Sequence, residues 1–172
     1  MNEVTKIEPT SKAIFESERC YVRRFAESDL EAFVDYQNNA EWMKYQSFKG
    51  FSLEEYKEIL LKETTLESGA QFAIVRKADQ TLIGDVFIKK EEDTFWIGYT
   101  VSPSFKRKGY ASEIIRAMIE WIQQQGDYQI MAGVAKENSA SIELLRKLQF
   151  KQVDDEDGEL FFQLSKPALG II

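Results

Sequence analysis

Histidine is absent from the 172 residues, and Cys20 is the one cysteine. No Ser-His-Asp triad, Cys-His dyad or His-bearing zinc site can be built from such a chain, and no metal is expected. An intramolecular disulfide is excluded as well, and so little cysteine suits a reducing compartment. Positive charge is also short: 22 Lys and Arg stand against 29 Asp and Glu, a net charge of −7. A nucleic-acid binder usually carries the opposite surplus, because phosphate neutralisation dominates its affinity. No apolar run approaches the roughly 18–20 residues of a membrane span, and residues 1–18 lack the apolar stretch of a secretory signal. A cytoplasmic protein with neither a membrane nor a nucleic-acid partner is expected. The three prolines are scattered, with no Pro/Gly/Ser-rich linker and no internal repeat. Any chemistry must rest on carboxylates, hydroxyls, backbone N–H groups or a bound cofactor.

What is present is the balance of a globular domain, 44% hydrophobic and 30% charged. The length suits one domain, read as residues 19–172 behind a polar lead-in arm at 1–18. Residues 19–25 alternate as a strand does. Ser28 and Glu31 have capping-box spacing before a helix, and Ser52 and Glu55 repeat it before a second. The second helix has Leu53, Tyr56, Ile59, Leu60 and Leu66 as its apolar set. The aromatic segment 41–51 between them reads as a short helix and loop. Strands at 71–77, 81–90 and 94–101 form an antiparallel meander. A long helix over 109–125, with Ile114, Ile115, Met118, Ile119 and Ile122 on one face, joins it to a strand at 128–135. That strand–helix–strand passage is a crossover, so the strands at 94–101 and 129–135 should be parallel neighbours. A helix from Asn138 and two last strands at 150–154 and 159–165 complete an α/β fold. Its central sheet is mixed, antiparallel in the first half and parallel at the centre, with flanking helices.

The segment that carries chemistry runs from Val101 to Ser112, VSPSFKRKGYAS. A strand enters a short basic loop, and the loop enters the long helix. Gly109 stands where the backbone must turn sharply or approach a ligand. The first helical turn offers unpaired N–H donors and the positive dipole end, which together attract an anion. Lys106, Arg107 and Lys108 add positive charge, and a pyrophosphate is the natural occupant. The spacing matches neither a Walker A loop nor a dinucleotide fingerprint. An exposed basic loop capping a helix is the alternative.

The run KRKGYA resembles motif A of the GCN5-related N-acetyltransferases, R/Q-x-x-G-x-G/A. Lys106 holds the R/Q position, Gly109 the first glycine and Ala111 the second small residue. Asn138, Ser139, Ala140 and Ser141, followed by LLRKLQF up to Phe150, resemble motif B of the branch that acetylates ribosomal-protein N-termini. Gln149 replaces that motif's glycine, so its turn would need a conformation that non-glycine residues rarely adopt. The YVRRF strand, the ESDL helix start, the region of Trp42 and the IGY of residues 97–99 fit the same branch. The resemblance covers about residues 19–165.

The resemblance implies the acyl-CoA N-acyltransferase fold, with the two central parallel strands splayed and acetyl-CoA inserted between them. Backbone groups at Tyr99, Thr100 and Val101 would pair with the pantetheine. Amides of Arg107, Lys108, Gly109, Tyr110, Ala111 and Ser112 would hold the pyrophosphate, and Asn138 the pantetheine arm. The acetyl group would pass directly to a primary amine, either a protein N-terminus or a small molecule. A CoA-binding sensor or interaction module of the same fold is the alternative, and monomer and homodimer are both open. Without histidine the base must be a carboxylate or a water chain. Among Glu91, Glu92, Asp93 and Asp85, Glu92 is the first choice, and a solvated acidic turn is the alternative for all four. Ser141 is either a hydroxyl facing the CoA sulfur or a helix-capping serine. Leu145 stands where another branch has a proton-donating tyrosine. Trp42, Tyr45 and Trp96 are either packing residues or walls of an acceptor pocket. Cys20 is a small apolar filler on a buried strand.

Overall fold

Three stretches of alternating or continuous apolar residues at 70–101 dictate a meander, and the sheet grows outward from it. A computed structural model describes residues 12–46 and 49–164 of the chain. Its elements are β1 (Ala13–Glu16), β2 (Cys20–Arg23), α1 (Leu30–Gln37), α2 (Leu53–Leu61), β3 (Ala70–Arg76), β4 (Thr81–Glu91), β5 (Thr94–Val101), α3 (Tyr110–Gln123), β6 (Gln129–Ala135), α4 (Ser139–Lys147), β7 (Lys151–Glu156) and β8 (Glu159–Leu164). The strands form one sheet in the order β1-β2-β3-β4-β5-β6-β8-β7. Every pairing is antiparallel except β5 with β6, the pair joined by the α3 crossover.

β3 is almost wholly apolar because helices cover both of its faces, as they must around a central strand. Ala73 and Val75 join Phe33, Tyr36, Tyr56 and Leu60 of α1 and α2 in one core. Phe72 and Ile74 join Ile114, Ile115, Met118 and Ile122 of α3 in the other. Each of the large buried side chains contributes about 1.5–3 kcal/mol. β7 lies at the open edge and all its residues are exposed, and its KQVDDE sequence has the charge that discourages strand addition.

Four expectations differ from the structure. Ala13–Glu16, inside the segment read as a lead-in arm, is edge strand β1. It pairs with β2, and Phe15 stacks on Trp121 of α3 with ring centroids 5.5 Å apart. Ser28 does not cap α1, which is preceded by a 3₁₀ turn at Glu27–Asp29. Asp29 instead accepts from the Ala26 N–H at 2.7 Å and from the Arg23 guanidinium at 2.6 and 3.0 Å. One carboxylate thus makes both the local bond that closes the turn and a buried fork–fork ion pair. α2 ends at Leu61, so Leu66 is buried beyond it, and Leu53 and Ile59 of the expected apolar face are exposed. Residues 40–45 are turns rather than a short helix. The capping box of Ser52 and Glu55 forms, with bonds of 3.2 and 3.0 Å.

Candidate active site

β5 and β6 are held together only at their first residues. Thr94, Phe95 and Trp96 pair with Gln129, Ile130 and Met131, and the ladder stops there. Beyond that point β5 stays on β4 as far as Val101, while Ala132 to Ala135 turn to β8. The facing edges of residues 97–101 and 132–135 are therefore left open towards each other. Such paired edges are where an extended ligand arm adds as a strand. Tyr99, Thr100 and Val101 lie on this opening.

Past Val101 a 3₁₀ turn, Pro103–Phe105, leads into the basic loop. Arg107 has φ 61° and Gly109 φ 80°, both left-handed. Gly109 is also the residue before α3, so this sharply turned backbone meets the positive helix end and its unpaired N–H groups. Lys106, Arg107 and Lys108 are all exposed. The loop is held from behind. Arg19 donates to the Lys108 carbonyl at 3.0 Å, stacks 4.0 Å from the Tyr110 ring centre and pairs with Glu113 at 2.7 Å. Tyr110 is buried while Ala111 and Ser112 are half-buried in the first turn. These residues fit a pyrophosphate by backbone donors and charge.

Residues opposite one another on paired strands share a face. Val86 and Tyr99 form one such pair, and Asp85 and Thr100 the next, on the other face. The Tyr99 hydroxyl donates to Ser141 Oγ of α4 at 2.9 Å. Burial raises the Tyr99 pKa above the ordinary phenol value, with the Ser141 bond opposing it, so the phenol keeps its proton at neutral pH. Ser141 is not the cap of α4. Asn138 is, its side-chain oxygen accepting from the Ser141 N–H at 3.3 Å. Asn138 thus spends its oxygen on the helix and keeps its amide N–H groups as donors.

The other face carries a cavity of about 660 Å³. Trp96, Ile97, Gly98, Tyr99 and Thr100 of β5 line it, together with Asp85, Gln71, Arg24, Ile59 and Lys62. Asp85 is 2% exposed. Its oxygens accept from the Tyr36 hydroxyl at 2.5 Å and from Gln71 Nε2 at 2.7 Å. Burial pushes its pKa up to about 6, against the lowering effect of those two donors. Glu159 also lines the cavity, its carboxylate so close over Gly133 that a Cβ there would clash with Oε1.

The expected site residues separate accordingly. The structure gathers residues 99–101 and 106–112, Asn138 and Ser141 around the splay and its basic end. Trp96 lines the cavity and packs edge-on to Phe161. Trp42 and Tyr45 are not among the residues lining it. The Trp42 indole N–H donates to the Val101 carbonyl at 2.9 Å, with Lys106 Nζ 5.7 Å from its ring centre. Tyr45 is 38% exposed. Glu92 has φ 54° at the β4–β5 turn, is exposed and lies off the cavity wall. Gln149 does adopt a left-handed conformation, φ 75°. Sequence reasoning missed Arg24, Tyr36, Gln71 and Glu159, whose importance comes from meeting across four separated segments. Cys20 is fully buried, and burial pushes its thiol up to about 11, which leaves it inert.

Residues 19–151 match the acetyltransferase (GNAT) domain family. The chain belongs to that family, and it is an N-acetyltransferase by membership. It is 26% identical over 139 residues to the uncharacterized N-acetyltransferase YnaD of Bacillus subtilis, covering 79% of this chain and 81% of YnaD. Among solved structures it is similar to a GNAT-family acetyltransferase from Bacillus anthracis, with TM-score 0.77 and 23% identity, covering 88% of this chain and 98% of that one. It is also similar to RimL, the ribosomal L7/L12 alpha-N-protein acetyltransferase solved with coenzyme A, with TM-score 0.71 and 19% identity, covering 90% of this chain and 98% of RimL. At these identities the structures speak for the fold, which is the acyl-CoA N-acyltransferase fold.

Proposed function

We propose that this N-acetyltransferase uses acetyl-CoA and transfers the acetyl group directly to a primary amine seated in the cavity on the Asp85 face. The observation that carries the reading is the position of the splay. It opens on one face to Tyr99 and Ser141, on the other to the cavity that Asp85 lines, and at its end to the backbone N–H groups that start α3, with three lysine and arginine side chains. Residues 97–101 would hold the pantetheine by backbone bonds, and residues 107–112 the pyrophosphate, with Lys106 and Asn138 adding side-chain contacts. The coenzyme A complex of RimL, a protein of the same fold, supports this choice of co-substrate.

Acetyl-CoA supplies an activated thioester, so the protein need only position the amine, remove its proton and protonate the leaving sulfur. An alkyl ammonium has a pKa of about 10.4 and an α-amine about 7.7–8.0, so the acceptor arrives largely protonated. Asp85, ionised at neutral pH with its carboxyl near 6, accepts that proton directly or through water. Ser141 Oγ accepts a bond from Tyr99, which frees the serine's own proton to point at the sulfur. Thiol release from acetyl-CoA across peptides with varied N-termini and a panel of small amines tests the reading. Release with at least one acceptor, and a higher Tm with coenzyme A, is expected. A chain that neither turns over nor binds coenzyme A would refute it.

A further inference from the structure

Two adjacent arginines of this chain have opposite fates. Arg23 is buried against Asp29 in a two-pronged ion pair. Arg24 is equally buried, at 5% exposure, but its bond is to a neutral group, the Lys62 carbonyl. Burial lowers its pKa, and among the described residues the charge acting against that is Glu63, an exposed side chain outside ion-pair distance. Withdrawing a guanidinium from water costs several kcal/mol unless an anion compensates. Arg24 lines the acceptor cavity, and so does Lys62, whose carbonyl the guanidinium meets. Asp85 lines the same cavity next to Thr100 of β5, with its oxygens turned to Tyr36 and Gln71.

From this arrangement, and resting on the acyl-transfer reading above, we infer that Arg24 is the anion-recognising residue of the acceptor cavity and that the acceptor amine carries a carboxylate. The carboxylate meets the planar guanidinium fork, for which arginine is the fitted partner, with Lys62 adding charge. The amine then points to the β5 side, where Asp85 takes its proton. An acceptor held in the reverse sense would set its carboxylate against Asp85 and leave Arg24 uncompensated. The volume suits a free amino acid or the first residues of a peptide. The carboxylate is therefore either an amino acid's own or an acidic side chain near a peptide N-terminus. The net charge of −7, which by itself favours cationic partners, does not describe this cavity.

The test is steady-state thiol release by the full chain with matched acceptors. One arm pairs L-methionine, L-phenylalanine and L-glutamate with their carboxamides. The other pairs tetrapeptides having Asp or Glu in the first two positions with their Asn or Gln counterparts. In at least one arm the carboxylate member should have about tenfold or greater kcat/KM, through a lower KM, as expected for a charge-assisted contact. The arm that shows it identifies the source of the carboxylate. Arg24→Gln should shrink that ratio below about threefold, and Arg24→Lys should retain part of it. Turnover without preference in the unsubstituted protein overturns the assignment and leaves acyl transfer standing, whether or not the variants fold. An Arg24→Gln effect equal on both members of a pair also overturns it. No turnover with any acceptor, together with no Tm rise on adding coenzyme A, overturns both readings.

Discussion

Replacing Asp85 by asparagine perturbs one charge while keeping shape, and its consequence can be worked from the structure. The carboxyl is 2% exposed and titrates at about 6 when folded, against about 3.9 in an unfolded chain. Because the folded value is raised, the native state binds more protons than the unfolded state between these two values. The stability contributed by neutral Asp85 is fully present below about pH 3.9 and is lost as pH rises through about 6. The loss is the shift of about two pH units times about 1.36 kcal/mol per unit, or about 3 kcal/mol by pH 7. An asparagine in this position would carry no such penalty. Its side-chain oxygen can still accept from Tyr36, and an amide flip of Gln71 restores the second bond. Urea unfolding of both proteins should therefore give a stability difference that moves in favour of Asp85→Asn by about 2–3 kcal/mol between pH 4 and pH 7. The same variant should lose about 10²–10⁴-fold in kcat/KM at pH 7, and the acid limb near pH 6 should vanish from what remains. A stability difference that stays flat with pH would refute the burial argument. An unchanged acid limb would remove Asp85 from the proton path.

Three further outcomes are expected. Ser141→Ala should lower kcat by about 10–100-fold with little change in coenzyme A affinity, measured by calorimetry and steady-state kinetics; equal losses in both would make Ser141 a binding residue. Gly109→Val places a branched side chain at φ 80°, costing about 1–2 kcal/mol, and should abolish the coenzyme A-induced rise in Tm while circular dichroism stays native; the unsubstituted chain at about 100 Kd should gain about 2.7 kcal/mol. Gln149→Gly relieves a left-handed non-glycine residue, and chemical denaturation should show a gain of about 0.5–1 kcal/mol with unaltered activity.

Features set by a few consecutive residues were legible in the sequence. The strand–loop–helix around Gly109 depends on local backbone preference, the Ser52–Glu55 box on spacing within one turn, and the parallel partnership of β5 and β6 on the length of one crossover helix. Such features survive because each is decided within the reach of a single element. Tertiary structure decided what long-range competition settles. Ser28 had capping-box spacing, but the carboxylate that closes the turn is Asp29, held by the buried Arg23. The Trp42 indole was drawn to the Val101 carbonyl, 59 residues away, because a half-buried N–H must find an acceptor. The carboxylates near the chemistry looked alike in sequence, and only burial separated Asp85 from Glu92. The cavity beside Asp85 was least legible of all, since Arg24, Gln71, Asp85 and Glu159 come from four separated segments and acquire their charge relations only on packing. A sequence states which charges a chain carries, but the cost of burying each one, and hence its chemistry, is a property of the fold.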